Sequence, residues 1–203
     1  MKTHNIFAFI VLAGGLALVG VLPAAAADRY NFDTEHSQLV LTYNHLGLPT
    51  QHARFASFEG SVVFDADDPA NSSVEVTIES ASVQAISPML DDELRGGVVF
   101  GVTNHPEITF ASNEVRQTGA ETGLITGDLT IKGVTRPVTL AVTPNFAGEH
   151  PLAPHMDWYA GAYYTAFSAH TTILHSDFGI DAYAPLTSDS VTIKIEAELR
   201  RQY

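Results

Sequence analysis

Residues 127–140 read Gly-Asp-Leu-Thr-Ile-Lys-Gly-Val-Thr-Arg-Pro-Val-Thr-Leu. Before the Lys132-Gly133 pair, Leu129 and Ile131 fall on one face, with Asp128 and Thr130 on the other. After it, Val138 and Leu140 repeat the alternation. A side-chain period of two with one apolar face is that of a β-strand, and two such runs about a short glycine-containing turn predict a hairpin. The segment carries no nucleophile and no set of metal ligands. It constrains architecture rather than chemistry, because strands with one apolar face must bury that face against something.

The same alternation recurs along the chain. Strands are predicted over 37–45, 55–64, 73–80, 107–114, 123–131, 138–143, 162–174 and 190–199. The cleanest run sets Val74, Val76 and Ile78 against Glu75, Thr77 and Glu79; another sets Val191, Ile193, Ile195 and Ala197 against Thr192, Lys194, Glu196 and Glu198. Clusters at 65–71 and 118–123 read as turns, and 144–154, with Gly148 and three prolines, reads as a longer loop. One segment breaks the rhythm. Ser87 ahead of Pro88, followed by Asp91, Asp92 and Glu93, predicts a short capped helix over 87–95. Eight one-sided antiparallel strands bury their apolar faces either as two packed sheets or as one sheet curled into a barrel. An eight-stranded barrel has room for one small ligand. Periodicity does not choose between the two.

The chain opens with Lys2, an apolar run over 6–22 and the small residues Ala24 to Ala27. That is the pattern of a cleaved secretory signal. The rival reading, a retained membrane anchor, fits the alanine-rich exit less well. The expected division is a signal peptide over 1–27 and one domain over 28–203, with a periplasmic or secreted location. The absence of cysteine excludes disulfides, thiolate metal sites and a lipid-modified cysteine at the new N-terminus. With 23 Asp and Glu against 10 Lys and Arg, the surface repels phosphate backbones, so nucleic acid is not an expected partner.

Residues 128–140 also resemble the signature of the YceI-like family of polyisoprenoid-binding proteins. So do His36-Ser37, His45-Leu46-Gly47, Arg54-Phe55, Phe58-Glu59-Gly60, the run 64–69 leading to Ser72-Ser73, the run 106–110, and the run 176–180. These stretches fall in the family's order over about 30–196. The resemblance implies an all-β fold, an extended eight-stranded antiparallel lipocalin-like barrel with one short helix. It implies an apolar interior holding a long isoprenoid chain, such as that of a quinone or polyprenyl lipid, with no catalytic residues and no required cofactor. It also implies periplasmic location and frequent homodimerisation. The chain departs from the family's usual wording at Leu90 and Glu93, which stand for Arg and His, at Gly101, which stands for Asp, and at Leu174-His175, which stand for Asn-Arg. If those positions contact a ligand head group, head-group recognition here is altered while the scaffold is kept.

On this reading Phe55, Phe58, Phe64, Phe100, Phe110, Phe167 and Phe178 are candidate walls of the ligand cavity, since aromatic rings present wide, rigid apolar surfaces; the plainer role is core filling. His36 is a candidate ligand gate, with a structural hydrogen bond as the plainer role. No histidine pair has a recognised zinc spacing, and His150, His155, Glu149 and Asp157 offer at most a weak surface metal site. His175 and Asp177 can be drawn into a catalytic triad, but no Gly-x-Ser-x-Gly elbow exists. Trp158, Tyr159, Tyr163 and Tyr164 suit capping of a barrel mouth, contact with a partner or membrane, or simple loop packing. Two other functions remain open: a hydrolase or isomerase acting on a lipid-like substrate, and a stress or partner-binding module with a filled barrel.

Overall fold

The computed structural model describes residues 27–181, 183 and 187–203; the signal segment expected over 1–27 lies, but for its last residue, outside the described residues. Eleven strands and one α-helix follow in order: β1 (Asp28–Phe32), β2 (Gln38–Asn44), β3 (Thr50–Phe55), β4 (Phe58–Phe64), β5 (Ser73–Glu79), β6 (Val83–Gln84), α1 (Pro88–Arg95), β7 (Glu107–Gly119), β8 (Thr122–Ile131), β9 (Val134–Glu149), β10 (Tyr163–Leu174) and β11 (Ser190–Arg201).

The β8–β9 hairpin forms as its alternation dictates. Ile131 faces Val134 across a two-residue turn, and Lys132 and Gly133 have φ of 52° and 76°. Positive φ at both turn residues marks the turn type whose twist matches that of a hairpin. Leu129, Ile131, Val138 and Leu140 are all buried. On the outer face, threonine pairs Thr126–Thr139 and Thr130–Thr135 hydrogen-bond across the strands at 3.0 and 2.9 Å.

The sheet closes on itself. Three pairs of short strands, β1 with β2, β3 with β4, and β5 with β6, each act as one bent stave. Thus β1 pairs with β4 and β2 with β3, while β11 pairs with both β2 and β1. The staves run antiparallel to their neighbours through β7, β8, β9 and β10 to β11, giving an eight-stranded closed barrel. The barrel alternative is therefore the one realised. Closure removes the exposed edges that an open sheet would leave.

Three local expectations are corrected. Residues 28–32 and 50–55 are strands that the alternation missed. The segment 144–149 is not loop but the end of β9, whose register shifts opposite Ala166 and Phe167, so that Phe167 faces Pro144 and Ala166 faces Phe146. The extra residue, Asn145, sits in a bulge, which lets a strand carry a proline that a regular ladder would reject. The turn cluster at 65–71 stands: Asp65 Oδ1 accepts from the N–H groups of Asp67 and Asp68. The helix also stands: Ser87 Oγ accepts from the N–H of Leu90, and Pro88 occupies the first turn.

Strand directions assign the loops to two ends. The 45–49 turn, α1 with the segment to 106, the Lys132-Gly133 turn and the described residues of 175–189 share one end. The 65–72 turn, the Ala120-Glu121 turn and the 150–162 segment share the other. At the α1 end, Leu94, Phe100, Phe178 and Ile180 plug part of the interior. At the other end, Tyr30, Val62 and Leu199 pack with Phe32, Phe64 and Phe167.

Candidate functional site: an apolar lumen with one polar end

Inward-facing side chains of the staves do not fill the barrel. They leave a cavity of about 670 Å³, within the range of roughly 300–1,000 Å³ usual for small-molecule sites. Its wall is predominantly aliphatic and aromatic: Leu39, Leu41, Val76, Ile78, Ile108, Leu129, Val142 and Ile195 contribute from six staves.

All seven candidate phenylalanines lie on this wall: Phe55, Phe58, Phe64, Phe100, Phe110, Phe167 and Phe178. Five of them stand in edge-to-face pairs. Phe55 meets Phe100 and Phe64 meets Phe167, each with ring centroids 5.4 Å apart, and Phe58 meets Phe32 at 5.8 Å. Such contacts stiffen a wall without filling it. Phe110 leans across Gly127 on the neighbouring strand, where any β-carbon would collide with its ring.

His36 is placed elsewhere. It sits outside the lumen between β1 and β2, with Nδ1 3.2 Å from Asp33 Oδ2. That hydrogen bond, then the charge of Asp33, raises the imidazole pKa above its ordinary value. His36 does not line the lumen, because the stave breaks at residues 33–37 and leaves the side chain exposed, in the hydrogen-bonded role that was its plainer reading. The break is pinned by the N–H of Asp33 donating to the Glu198 carbonyl at 2.8 Å, and by the Ser37 hydroxyl donating to that carbonyl at 3.1 Å. Asp33, His36 and Glu198 bring ligand-type atoms within 4.8 Å of one another. His150 faces Glu198 at 3.7 Å and stacks on Tyr159.

No hydrogen bond or ion pair joins His175 to Asp177 among the described residues. His175 Nδ1 lies 3.3 Å from Asp189, and contacts the Ile180 carbonyl. The Ser176 hydroxyl donates to Asp189 Oδ2 at 2.7 Å. A serine bonded to the carboxylate, rather than to the imidazole, is not arranged for the proton transfer a triad performs. The Ser176 bonds, hydroxyl first and then backbone N–H, hold the Asp189 carboxyl below its ordinary range. The tyrosines and tryptophan of the 150–164 region do not line the lumen. Tyr164 is buried, Tyr159 lies on His150, and Trp158 is 70% exposed with the Arg200 guanidinium 5.3 Å from its ring centre.

The alternation pattern alone did not single out the polar groups at the α1 end. Leu90, Glu93 and Leu94, spaced i, i+3, i+4 on α1, all line the lumen. Tyr43 at the end of β2, Tyr183, Thr187 and Ser188 join them. The Glu93 carboxylate near the Tyr183 hydroxyl is the main cause of a raised phenol pKa. Burial, followed by the charge of Glu93, raises the pKa of Tyr43. Around this end stand exposed apolar side chains, Leu46, Leu48, Ile86, Met89 and Val98, of which Leu46 also lines the lumen.

Fold and site together define a lipocalin-like β-barrel with an apolar internal cavity open to a polar, aromatic rim. The chain belongs to the YceI-like domain family, whose model matches residues 30–199. An Azotobacter vinelandii UPF0312 protein is 36% identical over 94% of this chain and 96% of its own length, and a Pseudomonas aeruginosa UPF0312 protein gives the same figures. Among solved structures, Burkholderia cenocepacia BcnA superposes with a TM-score of 0.70 at 25% identity, covering 82% of this chain and 98% of BcnA. A Saccharophagus degradans domain described as polyisoprenoid-binding superposes with a TM-score of 0.60 at 15% identity, over 88% of this chain and all of that domain; that likeness is one of fold.

Proposed function

We propose that this protein sequesters or carries a long-chain isoprenoid lipid or quinone, with the apolar tail inside the barrel, and performs no chemistry of its own. The observation that carries this reading is the lumen of about 670 Å³ walled almost wholly by hydrocarbon side chains. Burying an apolar chain there is worth roughly 25 cal/mol per Å² removed from water, so tight binding needs few polar contacts. The acidic composition, with a formal net charge of −13, suits a carrier that keeps such a lipid in solution. The fold neighbour described as polyisoprenoid-binding is in keeping with this reading. The basic, apolar and alanine-rich stretch over 1–27 supports export to a periplasmic or extracellular space. The exposed apolar side chains beside the lumen suit brief contact with a membrane during loading.

The test is extraction of the purified, untreated protein with organic solvent, followed by mass spectrometry, and titration of the delipidated protein with a polyprenol. A recurrent isoprenoid in the extract and saturable uptake are expected. An empty extract together with no uptake would sink the proposal.

A further inference from the structure

The lumen is chemically lopsided. At the α1 end its wall carries the Glu93 carboxylate, the phenols of Tyr43 and Tyr183, the His45 and His175 imidazoles, and the Thr187 and Ser188 side chains; the wall between the two ends is mostly hydrocarbon. Arg116 is the one Lys or Arg among the described lining residues, and it stands on β7 close to the opposite end. Glu93 also differs from its neighbour on the helix. Asp92 is solvent-facing and lies 3.7 Å from Arg95, as a surface acid ordinarily does. Glu93 is exposed too, but it has no ion-pair partner among the described residues and, with Leu90 and Leu94, it lines the lumen at its mouth. Two phenols line the same end beside it, Tyr183 and Tyr43, and its charge raises the pKa of both.

A single-headed amphiphile threaded through the barrel with its tail toward Phe64 and Phe167 places its head beside this carboxylate. We infer that the α1 end is a head-group subsite selective for hydrogen-bond donors, taking an alcohol or amine head and rejecting a phosphate or carboxylate. An anionic head would meet the Glu93 charge at the mouth of the lumen, where like charges repel. A donating head would instead form a charge-assisted hydrogen bond with the carboxylate. The inference rests on the lumen being a lipid site, as proposed above. Within that reading it narrows the ligand to a polyprenol-like or aminated chain, or the reduced form of a quinone, and away from a polyprenyl phosphate.

The experiment uses three probes with one shared tail: geranylgeraniol, geranylgeranylamine and geranylgeranyl phosphate. Each displaces a fluorescent apolar dye from delipidated full-length protein at fixed pH and ionic strength. Wild type is expected to bind the alcohol and the amine roughly tenfold or more tightly than the phosphate, the scale of one charge-assisted hydrogen bond. Glu93→Gln should shrink that gap to a few-fold, and Glu93→Lys should reverse it, with circular dichroism spectra unchanged. Equal binding of all three to wild type, tighter binding of the phosphate, or an order that survives Glu93→Gln overturns the subsite while leaving the lipid lumen intact. Failure of all three to displace the dye from any variant removes the lipid lumen itself, and the subsite with it.

Discussion

A β-carbon added to Gly127 would stand 2.6 Å from the Cζ atom of Phe110 and 2.4 Å from the Ala111 carbonyl oxygen. The glycine is therefore the floor on which the Phe110 ring rests, and the ring's inward lean sets part of the cavity wall. Gly127→Ala forces both the ring and the strand backbone to move. The expected cost is about 1–3 kcal/mol, typical of overpacking, or a Tm lowered by about 2–4 °C per kcal/mol for a domain of this size. Thermal melts followed by circular dichroism check it; an unchanged Tm would mean the strands separate freely at this point.

Ala169 lines the lumen on β10, between Val142 and Ile195 of the flanking strands. Ala169→Trp places an indole in the void rather than in packed core. Uptake of a long-chain isoprenoid should fall by tenfold or more, while Tm stays within a few degrees of wild type because the ring enters unfilled space. Titration of delipidated protein with a polyprenol reads the effect, and wild-type affinity in a folded variant would mean that the tail lies elsewhere.

Two side chains should shape stability against pH in opposite directions. The folded pKa of His36 is raised above its ordinary 6.5 by Asp33. Its contribution is complete below 6.5 and fades as pH climbs through the folded value. The Asp189 pKa is held below 3.8 by Ser176, so its contribution is complete above 3.8 and is lost as pH falls through the folded value. His36→Gln should close its gap to wild type on the alkaline side, and Asp189→Asn on the acid side. Tm measured across pH tests both; a gap of constant size at every pH would contradict the assignment. Solvent access keeps each effect small.

Gly133 has φ of 76°, and a β-carbon there would come 3.2 Å from the His105 ring. Gly133→Val therefore meets both backbone strain and a neighbour. A loss of about 1–2 kcal/mol is expected from the left-handed conformation alone. Urea denaturation would measure it, and a midpoint equal to that of wild type would show that the turn relaxes to another type.

The parts of the fold legible in the sequence were those governed by short-range physics. Val74, Val76 and Ile78 announce β5, and Ser87 with Pro88 announces α1, because alternation and capping are written into neighbouring residues. Residues 144–149 misled because Pro144 and Gly148 are strong local breakers, whereas the bulge at Asn145 depends on the opposing strand. Barrel closure was not legible from periodicity, since β1 meets β11 across most of the chain. The phenylalanines of the lumen were legible as apolar inward positions, but the empty space between them was not, because cavity volume depends on the curvature of all eight staves. Tyr43 and Glu93 come together from β2 and α1, and only the closed barrel brings them to one end.

The seam between β1 and β11 joins Tyr30 to Arg201 and Phe32 to Leu199, and the Arg201 guanidinium reaches Asp28 at 3.1 Å. A polypeptide delivered from its N-terminus cannot form this join until Arg201 has emerged. Completion of the chain thus acts as a timer on closure of the barrel, because contacts so distant in sequence are slow to form.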